Sequence, residues 1–272
     1  MKKAALTFDF EEFDLPREKG VPFTLDEGVA VSAEGAAALL DVLERRGVRA
    51  TFFCTVNFAE RAPGVMKRLA AGGHEIAAHG VDHFRQSAED PFAGKERLES
   101  LCGAEVAGYR QPRMFAVDDA ALARAGYLYN SSLNPAFIPG RYMHLDAPRT
   151  MFMKDSLVQV PASVTPWLRF PLFWLSLHVL PVALYAALAK RTLAHDGYFM
   201  TYFHPWEFSS VAARAAELKI PRIVRMNLGA PMVSRLEKVI AALSDAGAAF
   251  TTVRELAADC RAAARPVPGG GL

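Results

Sequence analysis

Short apolar runs alternate with amphipathic stretches along most of this chain, and that alternation confines it to a parallel α/β architecture. Residues 4–10 read as a buried strand, and 33–46 as a helix capped by Ser32 and stopped by Gly47. Residues 49–54 form a second strand, Pro63 opens a helix that Gly72 and Gly73 end, and 74–78 form a third strand. The rhythm continues with a helix at 92–101, a strand at 106–110, a helix at 118–125 and a strand at 127–131. A strand over 197–203, a helix over 232–246, a strand over 249–253 and a last helix from Glu255 complete the pattern. Strands joined this way form a parallel sheet, and in such folds, most consistently in a closed barrel, chemistry collects at the carboxyl ends of the strands.

With 272 residues, 51% of them hydrophobic, the chain can bury one large core, so a single domain over residues 1–265 is expected. Residues 266–272, Pro-Val-Pro-Gly-Gly-Gly-Leu, read as a disordered tail, and residues 15–28 as a long loop. The balance of 31 basic and 29 acidic residues leaves a net charge of +2, with no basic run to serve as a nucleic-acid footprint. Three widely spaced cysteines, Cys54, Cys102 and Cys260, fit neither a disulfide framework nor a paired-cysteine metal site. The apolar stretch after Lys2 and Lys3 is interrupted by Asp9 too soon for a signal-peptide core, so a cytoplasmic location is expected.

Chemistry-bearing residues fall at the expected strand ends. His79 and His83 are four apart just after the third strand; on a helical turn that spacing would put both imidazoles on one face, as for a shared metal ion. Two histidines still need a carboxylate or thiolate to hold a metal firmly. Strand alternation points Asp9 and Glu11 to one side with Phe10 opposite, and two carboxylates so close repel unless a cation or proton lies between them. Arg110, at the end of its strand, can brace carboxylates, and His204 ends a strongly aromatic strand where an imidazole can exchange protons near neutrality.

With those residues in place, the chain resembles the polysaccharide deacetylases, carbohydrate esterase family 4. Four short motifs occur in the family's order: Thr7-Phe-Asp9, His79-x-x-x-His83, Arg110-x-Pro112 and Phe203-His204. The resemblance implies a distorted seven-stranded β/α barrel and hydrolysis of the N-acyl group of an amino sugar, in a glycan or a lipid-linked precursor. It also implies a divalent, zinc-like metal held by a carboxylate and two histidines. Carried over by motif, Asp9 is the general base, His79 and His83 are metal ligands, and His204 is the acid for the leaving amine. The backbone N–H of Arg113, three residues past Arg110, holds the oxyanion.

Three positions depart from the family pattern. Phe10 stands where many members carry the metal-binding aspartate, so the ligand role passes to Glu11, with Glu12 as the fallback. Asn130, in the stretch 129–132, is neutral where many members tune the acid histidine with an aspartate, so the partner of His204 is open. Tyr202 replaces an aliphatic side chain of the acyl pocket, leaving acetyl or formyl open. The competing functions are hydrolysis of a cyclic amide or ureide on the same barrel, and a carbohydrate-binding pseudoenzyme. Residues 166–189 have the apolar density of a membrane span but are broken by Pro171, His178 and Pro181. The expectations here are one buried helix after an apolar loop, or an exposed patch of Trp167, Phe170, Phe173 and Trp174 meeting lipid.

Overall fold

The computed structural model describes residues 1–138 and 142–264. The tail at 266–272 lies outside the described residues. Seven parallel strands form the body of the fold. In spatial order they are Tyr198–Phe203, Lys3–Phe10 (β1), Thr51–Cys54 (β2), Glu75–Ala78 (β3), Gly108–Tyr109 (β4), Tyr129–Asn130 (β5) and Leu157–Gln159. Phe152–Lys154 adds an antiparallel strand at one end, and Ala249–Phe250 pairs with the start of β1. The remaining gap is bridged by the chain running on from Gln159: the Ser163 N–H donates to the Met200 carbonyl at 2.9 Å, and the Met200 N–H donates to Ser163 Oγ at 2.9 Å. The result is a distorted α/β barrel.

Alternation along β1 sorts its side chains into two layers. Ala4, Leu6, Phe8 and Phe10 face the surrounding helices, where Phe10 packs edge-on against Phe52 and Phe58 at ring separations of 4.7 and 5.4 Å. Ala5 joins the barrel interior with Phe53, Ala77, Tyr129, Val158, Met200 and Tyr202, while Thr7 and Asp9 are buried polar residues. The apolar layer outside therefore anchors the strand that carries the carboxylates.

Three local expectations change. The first long helix starts at Leu25, not after Ser32 (Leu25–Arg46), because Thr24 and Glu27 form a capping box, with Glu27 Oε2 accepting from the Thr24 N–H at 2.8 Å. Ser32 is buried inside that helix. His79 and His83 do not sit on a helical turn; they occupy the irregular loop after β3, which Gly80 turns with φ 76°. Residues 166–189 contain a loop and two helices, Trp174–Val179 and the start of Val182–Asp196, broken at Pro181. Among the described residues no helix is long and apolar enough to cross a membrane. Phe173 is buried and Trp174 packs into the cleft, so the four-residue exposed patch does not form; Trp167 (67% exposed), Leu168 (88%) and Phe170 (38%) remain outside.

Candidate metal centre

β1 and the loop after it carry Asp9 and Glu11 to one side of the strand end, buried under the cleft. The loop after β3 brings in His79 and His83, whose rings stack at 5.7 Å. Glu11 Oε2 lies 2.9 Å from His83 Nε2 and 3.3 Å from His79 Nε2. The three residues form a group whose potential ligand atoms all fall within 4.8 Å of one another. Both imidazoles are oriented from behind: His79 Nδ1 meets the Arg110 carbonyl at 2.8 Å, and His83 Nδ1 meets Asp14 Oδ2 at 2.9 Å. A carbonyl or carboxylate on Nδ1 places the proton there and leaves Nε2 with a lone pair, the form a metal needs.

The donor set fits a divalent cation, and buried atoms without partners support the fit. Among the described residues, Glu11 Oε2 and His79 Nε2 have no hydrogen-bond partner, although buried polar atoms almost always find one. With protons alone to balance the charges, the site becomes an ion pair. Burial pushes Glu11 up, but His83, His204 and His79 outweigh it and hold the carboxyl well below its usual range. Burial pushes His83 down, yet Glu11 and Asp14 lift it to about 10. A cation in the middle would take over the role of those protons.

Asp9 and His204 flank the cluster. Arg110, fully buried over the Phe53 ring at 3.9 Å, donates from Nη1 to Asp9 Oδ1 at 2.6 Å and to Thr7 Oγ1 at 2.9 Å. Its other side is fixed by the Ser131 hydroxyl at 3.0 Å and the Ser131 carbonyl at 3.2 Å. Asp9 Oδ2 is left facing His204 Nε2 at 4.0 Å, and Glu11 Oε1 lies 3.9 Å from the same nitrogen. Arg113 lines the cleft, with backbone φ 60°, and its guanidinium joins Asp14 at 2.8 Å and Glu18.

Glu12, the fallback ligand, lies outside the trio. It is buried, accepting from the Thr55 hydroxyl at 2.7 Å and the His83 N–H at 2.9 Å, so it braces the histidine loop instead. Sequence reasoning also missed Asp14 and Glu207, and gave His178 and Trp174 no place at the site's acid histidine. Glu207 supplies what Asn130 lacks: its Oε1 accepts from the His204 N–H at 2.6 Å and lies 2.9 Å from Nδ1. Its position three residues after His204, opening a turn with Pro205, was a legible signal. Asn130 instead accepts from the Ser132 N–H at 3.0 Å. The His204 ring stacks on Trp206 at 5.2 Å and meets the edge of Trp174 at 5.3 Å.

This barrel, with its paired histidines and carboxylates at the strand ends, defines a deacetylase-type α/β barrel. Residues 14–127 match the family described as polysaccharide deacetylase, and residues 131–258 match a domain of unknown function, DUF3473. Each match covers less than half of the chain, and one barrel draws strands from both matched stretches.

Among curated relatives, a peptidoglycan deacetylase-like protein, FGM2, from Gibberella zeae is 31% identical over 119 residues, covering 39% of this chain and 35% of the relative. A peptidoglycan-N-acetylglucosamine deacetylase, PgdA, from Listeria monocytogenes is 35% identical over 77 residues, covering 27% of this chain and 16% of the relative. These matches therefore span about a third or less of those proteins. Among solved structures, a polysaccharide deacetylase-type protein from Mycobacterium smegmatis superposes with a TM-score of 0.64 at 22% identity, covering 100% of this chain and 96% of that one. Puue allantoinase gives 0.66 at 13% identity, covering 97% and 92%. At these identities the structures establish the fold.

Proposed function

We propose that the protein is a metal-dependent deacetylase that removes the N-acetyl group from an amino sugar of a glycan, with zinc as its metal. The observation that carries this reading is the convergence of Glu11, His79 and His83, with Asp9 on Arg110 and His204 on Glu207 beside them. A binding groove has no use for a braced carboxylate and an imidazole aimed at the same point. The similarity to peptidoglycan-N-acetylglucosamine deacetylases supports the substrate class.

Glu11, His79 and His83 would hold the cation, which supplies electrophilic polarisation of the amide carbonyl and acidification of water. Arg110 keeps Asp9 oriented, and the free Oδ2 takes a proton as the water oxygen bonds to the acyl carbon. The backbone N–H of Arg113 stabilises the oxyanion of the tetrahedral adduct. When the C–N bond breaks, the nitrogen takes the proton of His204 Nε2, releasing acetic acid and the free amine. The proton taken by Asp9 returns to His204 through solvent in the cleft, since the 4.0 Å between Oδ2 and Nε2 exceeds a hydrogen bond. Trp174, Trp206, Phe13 and Tyr142 wall the cleft around this point.

A finer part of the proposal is that exposed Trp167, Leu168 and Phe170 rest on lipid and bring a lipid-linked sugar to the cleft. The central test is acetate release from N-acetylglucosamine oligomers by the zinc-loaded protein and by Asp9→Asn, with allantoin as a second substrate. Wild-type turnover of the oligomer, lost about 10²–10⁴-fold in the variant with zinc retained, is expected. Turnover of allantoin with none of the oligomer would refute the reading.

A further inference from the structure

Behind the cleft, His204 is the first member of a chain of buried groups that the reaction outlined above leaves partly unused. Glu207 is fully buried and presents one carboxylate oxygen to each of two histidines: Oε1 to His204 Nδ1 at 2.9 Å, and Oε2 to His178 Nε2 at 2.8 Å. His178, also fully buried, contacts the Met226 carbonyl through Nδ1. His178 comes from the helix Trp174–Val179, in the stretch that matches the domain of unknown function. The turn carrying Glu207 is pressed against the helix Leu25–Arg46 at Gly35, where a Cβ would come within 1.9 Å of the Pro205 carbonyl oxygen. Glu207 is further pinned by its own carbonyl, which accepts from the Gly229 N–H at 2.8 Å.

Partner chemistry sets the proton positions. A carbonyl can only accept, so His178 carries a proton on Nδ1. Glu207 Oε2 lies 2.8 Å from His178 Nε2, so a proton is shared between these two buried groups. Glu207 Oε1 already accepts the His204 N–H, and the same oxygen accepts from Nδ1. His204 is thereby held with a proton on Nδ1 and with Nε2 facing Asp9 and the cleft; it donates from Nε2 as the imidazolium, protonated on both nitrogens.

We propose that Glu207 and His178 are positioning residues, forming a relay that holds the Nδ1 proton and the ring orientation of His204 and so presents its imidazolium Nε2 as the proton donor to the leaving amine. The relay makes the DUF3473 stretch a contributor to the active site. It rests on the deacetylase reading for its consequence, but its geometry is independent of substrate.

The test compares Glu207→Ala, Glu207→Gln and His178→Leu on two substrates. One is an N-acetylglucosamine oligomer, whose amine leaving group must be protonated. The other is 4-nitrophenyl acetate, whose leaving group needs no proton. Glu207→Ala should lower kcat for the amide about 10²-fold with KM little changed, and lower ester hydrolysis far less. Glu207→Gln should recover part of the loss, because its carbonyl can still accept from His204, and His178→Leu should fall between wild type and Glu207→Ala. Imidazole ¹⁵N NMR of the same zinc-loaded proteins should show a protonated, hydrogen-bonded His204 Nδ1 in wild type and loss of that signature in Glu207→Ala. Equal losses on both substrates in parallel with lost zinc would assign the two residues a merely structural role and overturn the proposal. So would a His204 Nδ1 signature unchanged in Glu207→Ala. A wild type inert towards the amide would refute the deacetylase reading, while the NMR comparison would still decide the relay.

Discussion

Replacing Arg110 by methionine isolates the ion pair that holds the general base. The guanidinium is fully buried, makes a 2.6 Å contact with Asp9, and lies over Phe53 at 3.9 Å and near Tyr202 at 5.4 Å. Methionine keeps much of the contact with those rings, so little of the loss is apolar. What remains is a buried carboxylate without its partner, and breaking such a pair costs about 3–5 kcal/mol. At roughly 2 °C per kcal/mol for a chain of this size, the midpoint of thermal unfolding should fall by about 6–10 °C. The double variant Asp9→Asn, Arg110→Met removes both charges and should be less destabilised than the sum of the single variants, by about 2–4 kcal/mol of coupling. Urea unfolding of all four proteins in chelator measures this without the contribution of bound metal. Additive losses, or an Arg110→Met cost under about 1 kcal/mol, would refute the view that Arg110 exists to neutralise and aim Asp9.

Glu11→Ala, His79→Ala and His83→Ala should each lose most bound zinc by metal analysis, whereas Glu12→Ala should retain it and lose stability through the freed Thr55 hydroxyl and His83 N–H. The chelated protein should be most stable in mildly acidic solution. His83 is raised from 6.5 to about 10, so its contribution is complete below 6.5 and lost as pH rises through about 10. Glu11 is depressed from 4.5, so its contribution is present above 4.5 and lost as pH falls through its lower folded value; the two shifts largely describe one interaction and count once. Urea midpoints that rise between pH 6.5 and 10 would contradict the assignment. Wild type should sediment with anionic liposomes, and a Trp167→Ser, Leu168→Ser variant should not; no binding by either would remove the lipid contact.

Much of the frame was legible because it depends on local periodicity. Alternation in β1 put Asp9 and Glu11 on one side and Phe10 on the other, and the tertiary structure shows Phe10 in the helix-facing layer with both carboxylates under the cleft. The βα rhythm set the parallel strands because each apolar run needs a helix to cover it. Other features rested on contacts between segments distant in sequence. The His79, His83 spacing said nothing of its loop conformation, which Gly80 and the brace from Glu12, 71 residues away, determine. Asp14 behind His83, and His178 behind Glu207, are single polar residues with no periodic signal; only packing that buries both partners together makes them visible. The apolar run at 166–189 shows the same division, since hydrophobicity announces that side chains seek burial but not which of them succeed. Pro181 breaks the run into two helices, the core takes Phe173, the cleft takes Trp174, and Trp167 and Leu168 stay exposed on the loop before them, where Trp167 meets Arg191 and His195 at the surface.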